Sequence, residues 1–275
     1  DKREYKFFDE ISNKRYERLK RELGEYEITI ASSTKEEDLY LIRTHSDRSL
    51  GAYYLYNVNT DELNKMADVS PWINEKELSS MMPVSYTSRD GLKITGYLTL
   101  PKDALPKNLP VVINVHGGPW ARDYWTYNPE VQFLANSGYA VLQVNYRGST
   151  GFGKKFWEAS FKQWGKKMQD DISDGVKWLI EQGIANPKKV GIYGGSYGGY
   201  ATLAGLAFSP ELYVCGVDYV GVSNLFTFMK TIPPYWEPLR KMMYDMVGNP
   251  EVDTELMKEA SPVYHVDKIV APLFK

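Results

Sequence analysis

The sequence predicts an α/β fold, in which helices cover both faces of a mostly parallel sheet, with a short antiparallel β-meander placed before it. Two observations lead to this prediction. From Pro83 onward, β-branched apolar runs alternate with helical segments, which is the pattern of parallel strands joined by crossover helices. Before that point, short strand candidates follow one another with only polar turns between them, which is typical of antiparallel strands.

Residues 1–74 are expected to form a helix and part of a β-propeller. Apolar residues from Phe8 to Leu23 keep an approximate helical spacing, and Gly24 supplies a C-terminal cap. Three strand candidates follow, at residues 26–30, 39–43 and 52–56. One such meander buries too little apolar surface to be stable alone, so we interpret it as one piece of a larger repetitive structure such as a propeller.

Residues 75–275 are expected to form the α/β domain. An antiparallel pair of strands flanks the turn Arg89-Asp90-Gly91. The later candidates are strand 111–115, helix 131–137, strand 140–144, helix 171–182, strand 190–193, helix 200–208, and strands 214–220 and 270–274. Strands separated by helices of this length predict a parallel sheet covered on both faces.

Composition argues against several classes of function. The chain has 33 Lys and Arg against 35 Asp and Glu, so its net charge of −2 gives no reason to expect a nucleic acid or a membrane surface as partner. No apolar run approaches the roughly 20 residues of a membrane span. With three histidines and one cysteine, neither a metal nor another cofactor is expected. The lone Cys215 lies in an apolar run and is expected to be a buried, inert thiol.

The most specific motif is Gly194-Gly195-Ser196-Tyr197-Gly198, which matches Gly-x-Ser-x-Gly. The bare pattern is weak, but here a strand precedes it and an apolar helix follows it. In that setting the serine lies on a tight elbow, with its hydroxyl at the carboxyl end of the sheet and the next backbone amide placed for an oxyanion. Ser196 is therefore predicted to be a nucleophile.

His116-Gly117-Gly118-Pro119 directly follows another buried strand. Its glycines are expected at the same edge of the sheet as Ser196, where backbone N–H groups can approach a substrate carbonyl. A plain glycine turn is the alternative. His116 belongs to this loop and precedes Ser196 in the chain, so an orienting role is favoured over that of a base.

A third loop, residues 145–153, also ends a strand at this edge. Its three glycines could cradle a phosphate, but their spacing matches neither a Walker loop nor a dinucleotide fingerprint. Arg147 is expected to brace loops near the active site, with a solvated charge as the alternative.

In this order, the segments HGGP, NYRGSTGFG, YGGSYGGY and SNLFTFMKTIPPYWEP resemble the catalytic domain of the prolyl oligopeptidase family, on its acylaminoacyl-peptidase and dipeptidyl-peptidase branch. The resemblance implies an α/β-hydrolase fold, with the meander as the end of the family's β-propeller. It implies Ser196 as the acyl-enzyme nucleophile and the amides of Tyr197 and Gly118 as the oxyanion hole. Arg147, Tyr235 and Trp236 are expected near the substrate pocket, although simple packing of the loop at 232–236 stays an alternative.

The acid and base of a catalytic triad are not evident in this sequence. In this fold the order is Ser, then Asp or Glu, then His, and only His265 follows Ser196. His265 precedes the strand 270–274 and so is expected at the opposite edge of the sheet. Asp218 is a weak candidate for the acid, because the family carries it after the next strand. The triad Asp and His are therefore expected beyond Lys275, so that the chain is a fragment and inactive alone.

These observations predict a serine peptidase that hydrolyses short peptides through an acyl-enzyme. The alternatives are an esterase or lipase that uses the same elbow, and a non-catalytic binding or scaffold fragment. The expected partner is a short peptide substrate, and homo-oligomers are possible. The compartment stays open, with the cytoplasm favoured.

Overall fold

A computed structural model describes residues 3–275. The first part of the chain is one helix and a four-stranded antiparallel sheet paired in chain order. These elements are α1 (Glu10–Leu23), β1 (Glu27–Ser33), β2 (Leu39–His45), β3 (Ala52–Asn57) and β4 (Glu62–Asp68). Leu19 and Leu23 pack α1 against the sheet. The buried face of the helix is shorter than the sequence predicts, because Phe8 and Ile11 are exposed. A four-stranded antiparallel sheet is the unit of a propeller blade.

The second part is a seven-stranded sheet with the order β11-β10-β9-β7-β8-β6-β5. Strands β5 and β6 are antiparallel to their neighbours, and the others are parallel. The strands are β5 (Met81–Thr87), β6 (Lys93–Thr99), β7 (Leu109–Val115), β8 (Ala140–Asn145), β9 (Ala185–Gly195), β10 (Cys215–Tyr219) and β11 (Leu273–Phe274).

Helices connect the parallel strands. They are α2 (Pro129–Asn136), α3 (Lys154–Glu158), α4 (Lys167–Glu181), α5 (Tyr197–Phe208), α6 (Leu225–Lys230), α7 (Arg240–Met246) and α8 (Thr254–Ala260), with short 3-10 helices at Glu75–Glu77, Pro234–Leu239 and Pro262–Lys268. The connections β7–α2–β8 and β8–α4–β9 run in opposite directions along the sheet, so right-handed crossovers put α2 and α4 on opposite faces. Helix α5 packs beside α4. This is the α/β-hydrolase fold.

The face of β10 that points away from α5 is exposed. Gly216 and Asp218 are buried, whereas Cys215, Val217 and Tyr219 alternate with them and are exposed. The expectation that Cys215 is a buried thiol is therefore wrong, because its side chain lies on the face of the strand that α5 does not cover. An apolar cavity of about 470 Å³ lies between this face and α2.

Two buried side chains join the two sheets. The Asp47 carboxylate accepts the backbone N–H of Met81 at 2.7 Å, and the Gln132 amide donates to the carbonyls of Asp47 and Ser79. The expected boundary between residues 74 and 75 lies at the start of the first 3-10 helix, between the sheets. Within residues 3–275, no helix has the length and apolar character that crossing a bilayer requires.

Candidate active site

Ser196 occupies a sharp turn between β9 and α5. Its backbone has φ 57° and ψ −115°, it caps the N-terminus of α5, and its side chain is exposed. The Ser196 N–H donates to the carbonyl of Tyr219 at 2.9 Å, and its carbonyl accepts the N–H of Tyr200 at 3.0 Å. A positive φ is uncommon for a residue other than glycine. The predicted elbow is therefore present, with the hydroxyl at the carboxyl end of the sheet.

Two glycines make this turn possible because the end of β7 packs directly against it. A Cβ on Gly198 would lie 2.0 Å from the carbonyl oxygen of Val115. A Cβ on Gly194 would lie 2.6 Å from the same oxygen and 2.6 Å from the carbonyl carbon of Gly198. Neither position can carry a side chain without moving backbone atoms.

The glycine loop after β7 lies beside Ser196. A Cβ on Gly117 would be 3.4 Å from Cβ of Ser196, and Gly118 lines the same cavity as Ser196. Gly118 has φ 127°, a conformation that other residues rarely adopt. Its N–H donates to no backbone acceptor within residues 3–275. The N–H of Tyr197 is the first of α5, where helix geometry provides no acceptor. Gly118, Ser196 and Tyr197 line one cavity, and oxyanion binding requires backbone N–H groups without another acceptor at such a place.

His116 is bound within this loop. Its Nδ1 donates to the Gly117 carbonyl at 2.8 Å, and its Nε2 lies 2.9 Å from the hydroxyl of Ser149. The ring stacks on Tyr146 with a centroid separation of 4.4 Å. Burial lowers the pKa of the ring to about 4, so the imidazole is neutral at pH 7. These contacts orient the Gly117 peptide and occupy both ring nitrogens.

Arg147 is 3% exposed and pairs with two carboxylates. Its guanidinium contacts Asp171 at 2.7 and 2.8 Å and Asp90 at 2.8 and 2.9 Å. These hydrogen bonds hold the pKa of Asp90 well below its usual value. Arg147 thus ties the loop after β8 to α4 and to the β5–β6 turn. Arg147 is not among the residues that line the cavity next to Ser196. It therefore connects these loops and does not form a wall of that cavity.

A cavity of about 200 Å³ opens beside Ser196. Its walls are apolar and carry no charged side chain: Gly118, Trp120, Trp164, Tyr197, Val222, Phe228, Trp236, Leu239, Met242 and Met243. Trp236 lies in the wall of this cavity, whereas Tyr235 is 78% exposed and stands edge-on to Trp236 outside it. Sequence reasoning missed Trp120, although it directly follows the glycine loop. It also missed Trp164 and Met243, for which no local motif gives a signal.

The other two histidines lie away from Ser196. The His265 ring donates to the carbonyl of Glu259 and stands edge-on to Phe208, with centroids 5.2 Å apart. Phe208 is the last of the 12 residues of α5, and Ser196 precedes the first, so the helix separates them by about 16–18 Å. His45 lies in β2 of the first sheet. Within residues 3–275, no histidine hydrogen-bonds to the Ser196 hydroxyl.

A metal has no evident place among these residues. Within the described part of the chain, no three His, Cys, Asp or Glu side chains cluster so that they could hold an ion.

Comparisons with known proteins show the family of this chain. The sequence model described as the prolyl oligopeptidase family matches residues 125–274. Dipeptidyl aminopeptidase BIII of Pseudoxanthomonas mexicana is 41% identical over 260 residues, which cover 91% of this chain and 38% of that protein. Dipeptidyl peptidase family member 6 of Caenorhabditis elegans is 36% identical over 270 residues, which cover 90% of this chain and 36% of that protein. The chain thus spans little more than a third of these relatives.

Solved structures show the same fold. A puromycin-hydrolyzing peptidase of Mycobacterium tuberculosis superposes with a TM-score of 0.76 at 24% identity, over 86% of this chain and 37% of that one. An acylaminoacyl peptidase of Pyrococcus horikoshii superposes with a TM-score of 0.73 at 24% identity, over 89% of this chain and 39% of that one.

Proposed function

Because this chain belongs to the prolyl oligopeptidase family, we propose that it forms the nucleophile-bearing part of a serine peptidase that hydrolyses short peptides. The observation that supports this most strongly is the exposed Ser196 on its elbow, in the same cavity as Tyr197 and Gly118. This arrangement suits acyl transfer, because a nucleophile and two oxyanion donors meet at one carbonyl.

The proposed reaction has two halves. Oγ of Ser196 attacks the scissile carbonyl and loses its proton to a general base, while the two amides bind the oxygen that becomes negative. The base then gives the proton to the leaving amine, the C–N bond breaks, and the acyl group stays on Ser196 as an ester. In the second half, the base takes a proton from a water molecule that attacks this ester through the same oxyanion hole. The C–O bond to Ser196 then breaks, Oγ receives the proton from the base, and the acid leaves.

We propose that the base and its acid come from residues outside those that the structure describes. The positions of the three histidines support this: His116 is held by its own loop, His265 lies at the far end of α5, and His45 belongs to the first sheet. The expected consequence is that residues 1–275 alone turn over peptides several orders of magnitude more slowly than a protein that includes the base.

The cavity beside Ser196 suggests the substrate class. Its uncharged walls would leave a charged side chain without a partner, so we propose a preference for uncharged, apolar side chains at the cleavage position. The names of the relatives, dipeptidyl aminopeptidase and dipeptidyl peptidase, support short peptides as substrates.

Labelling with a fluorophosphonate tests the proposal. A protein that includes the proposed base, beside the 275-residue chain, should acquire one label on the peptide that contains Ser196. Ser196→Ala should abolish labelling, whereas Ser209→Ala, at the other end of α5, should not change it. Labelling that survives Ser196→Ala would contradict the proposal. Hydrolysis of esters but not of peptide amides would favour an esterase, and neither labelling nor hydrolysis would favour a scaffold.

A further inference from the structure

We propose that Asp218 is a positioning residue that keeps the nucleophile elbow in place through the turn that follows β10. This inference rests on the proposed function, because its consequence for turnover assumes that Ser196 is the nucleophile. Asp218 is the fourth residue of β10 and pairs with Gly194, two residues before Ser196 on β9. The strand register therefore places this carboxylate next to the elbow.

The Asp218 side chain is closely surrounded. It is 2% exposed, and its Oδ1 accepts the N–H of Gly221 at 2.8 Å. Its Oδ2 has no hydrogen-bond partner within the part of the chain that the structure describes. Burying a carboxylate with one unpaired oxygen costs free energy. A buried carboxylate with this cost is expected at a place where its hydrogen bond fixes the local backbone geometry.

Two glycines on different elements enclose the carboxylate. A Cβ on Gly199, in the first turn of α5, would lie 2.3 Å from Oδ1 of Asp218, and so would a Cβ on Gly221. The two glycines also pack backbone to backbone, because a Cβ on Gly199 would lie 2.7 Å from Cα of Gly221. Helix α5 and the turn after β10 therefore meet around this one oxygen.

The turn that Asp218 holds is in direct contact with the nucleophile. The carbonyl of Tyr219 accepts the N–H of Ser196 at 2.9 Å. The next residue, Val220, has φ 51°, which is strained for a β-branched side chain. The hydrogen bond from Gly221 to Asp218 closes the turn across this strained residue. Losing it would let the Tyr219 carbonyl move, and with it the amide of Ser196.

The positioning role uses Oδ1, which already accepts the Gly221 N–H and packs against both glycines, and it differs from the role of a triad acid. A positioning role needs only a hydrogen-bond acceptor at Oδ1, which the amide of an asparagine also provides. A triad acid needs the negative charge, so the two roles predict different results for Asp218→Asn.

The test compares Asp218→Asn and Asp218→Ala in a protein that includes the proposed base, with Val217→Ala as a control on the opposite face of β10. We expect Asp218→Ala to lower kcat about 10- to 100-fold with KM changed less than about twofold, because a small displacement of the nucleophile costs this much. Asp218→Asn should retain kcat within about threefold of wild type, and Val217→Ala should resemble wild type.

Hydrogen exchange of the peptide covering residues 190–204 gives a second measurement that does not depend on activity. Exchange should be faster in Asp218→Ala and unchanged in Asp218→Asn. The inference would be overturned if Asp218→Asn lost as much kcat as Asp218→Ala. It would also be overturned if Asp218→Ala kept the kcat and the exchange rate of the wild type. A wild-type protein without turnover would count against the proposed function, and the exchange result would then decide alone whether Asp218 holds the elbow.

Discussion

At the scale of single residues, the site concentrates backbone strain. Ser196 and Val220 both adopt positive φ, and they belong to the two turns that the hydrogen bond from Ser196 to Tyr219 joins. Each such conformation costs about 1–3 kcal/mol, so the surrounding contacts must offset it. Gly198 and Gly194 allow the approach of β7, and Asp218 closes the second turn. Ser196 is thus held by contacts that tolerate few substitutions.

The pH dependence of stability should report on His116. Its pKa is about 4 in the folded protein, because of burial, against an ordinary value of 6.5. Between these values the unfolded chain binds a proton that the folded protein does not, so the free energy of unfolding falls as the pH falls from about 7 to 4. The loss is up to about 3 kcal/mol, at about 1.4 kcal/mol per pKa unit.

Replacing His116 with glutamine removes this contribution. Urea unfolding of wild type and His116→Gln at pH 7 and pH 4.5 should show a smaller loss of stability on acidification in the variant. Because every other titrating group is shared, the difference between the two proteins isolates the ring. Parallel pH profiles would show that the ring is not buried as described.

At the scale of elements, the cavity is built by side chains from parts of the chain that are distant in sequence. Trp120 comes from the glycine loop, Trp164 from the segment before α4, and Trp236 from a 3-10 helix. Tyr235, the neighbour of Trp236, points outward. Adjacent residues on this short helix therefore have different roles, which gives a matched pair for mutation.

Trp236→Ala should weaken binding of apolar substrates, whereas Tyr235→Ala should not. Removing one wall of the cavity is expected to raise KM for an apolar substrate about tenfold, since contacts of this size contribute about 1–3 kcal/mol. Peptides with different side chains at the cleavage position, assayed on both variants, check this. Equal effects of the two substitutions would place the substrate elsewhere.

How far the sequence predicts the fold depends on how local each signal is. The elbow at Ser196 and the loop at Gly118 follow from short motifs with a strand before them, and the structure brings them together. The sequence does not predict strand β4, because this strand is polar and exposed along most of its length. It lacks the alternation of polar and apolar residues that indicates a half-buried strand. The prediction that Cys215 is buried is wrong because an apolar run does not reveal which face of its strand a helix covers. Trp164 reaches the cavity only through tertiary packing.

At the scale of the whole molecule, the two sheets are joined by specific buried contacts. Asp47 lies in the loop between β2 and β3, and Gln132 lies in α2. The side chain of each forms a hydrogen bond to the backbone near the start of β5. Phe133 of α2 and Val217 of β10 are exposed and line the apolar cavity between α2 and the larger sheet. The part described here brings Ser196, Tyr197 and Gly118 together at one cavity, and the base is proposed to lie outside it.

Trapping the acyl-enzyme tests whether Ser196 is the nucleophile. A protein that includes the proposed base is mixed with a slowly hydrolysed peptide ester, quenched in acid within the first turnover, and examined by mass spectrometry. We expect a mass increase equal to the acyl group, located on the peptide that contains Ser196 and absent from Ser196→Ala. An acyl group on another residue, or turnover by Ser196→Ala at the wild-type rate, would contradict it.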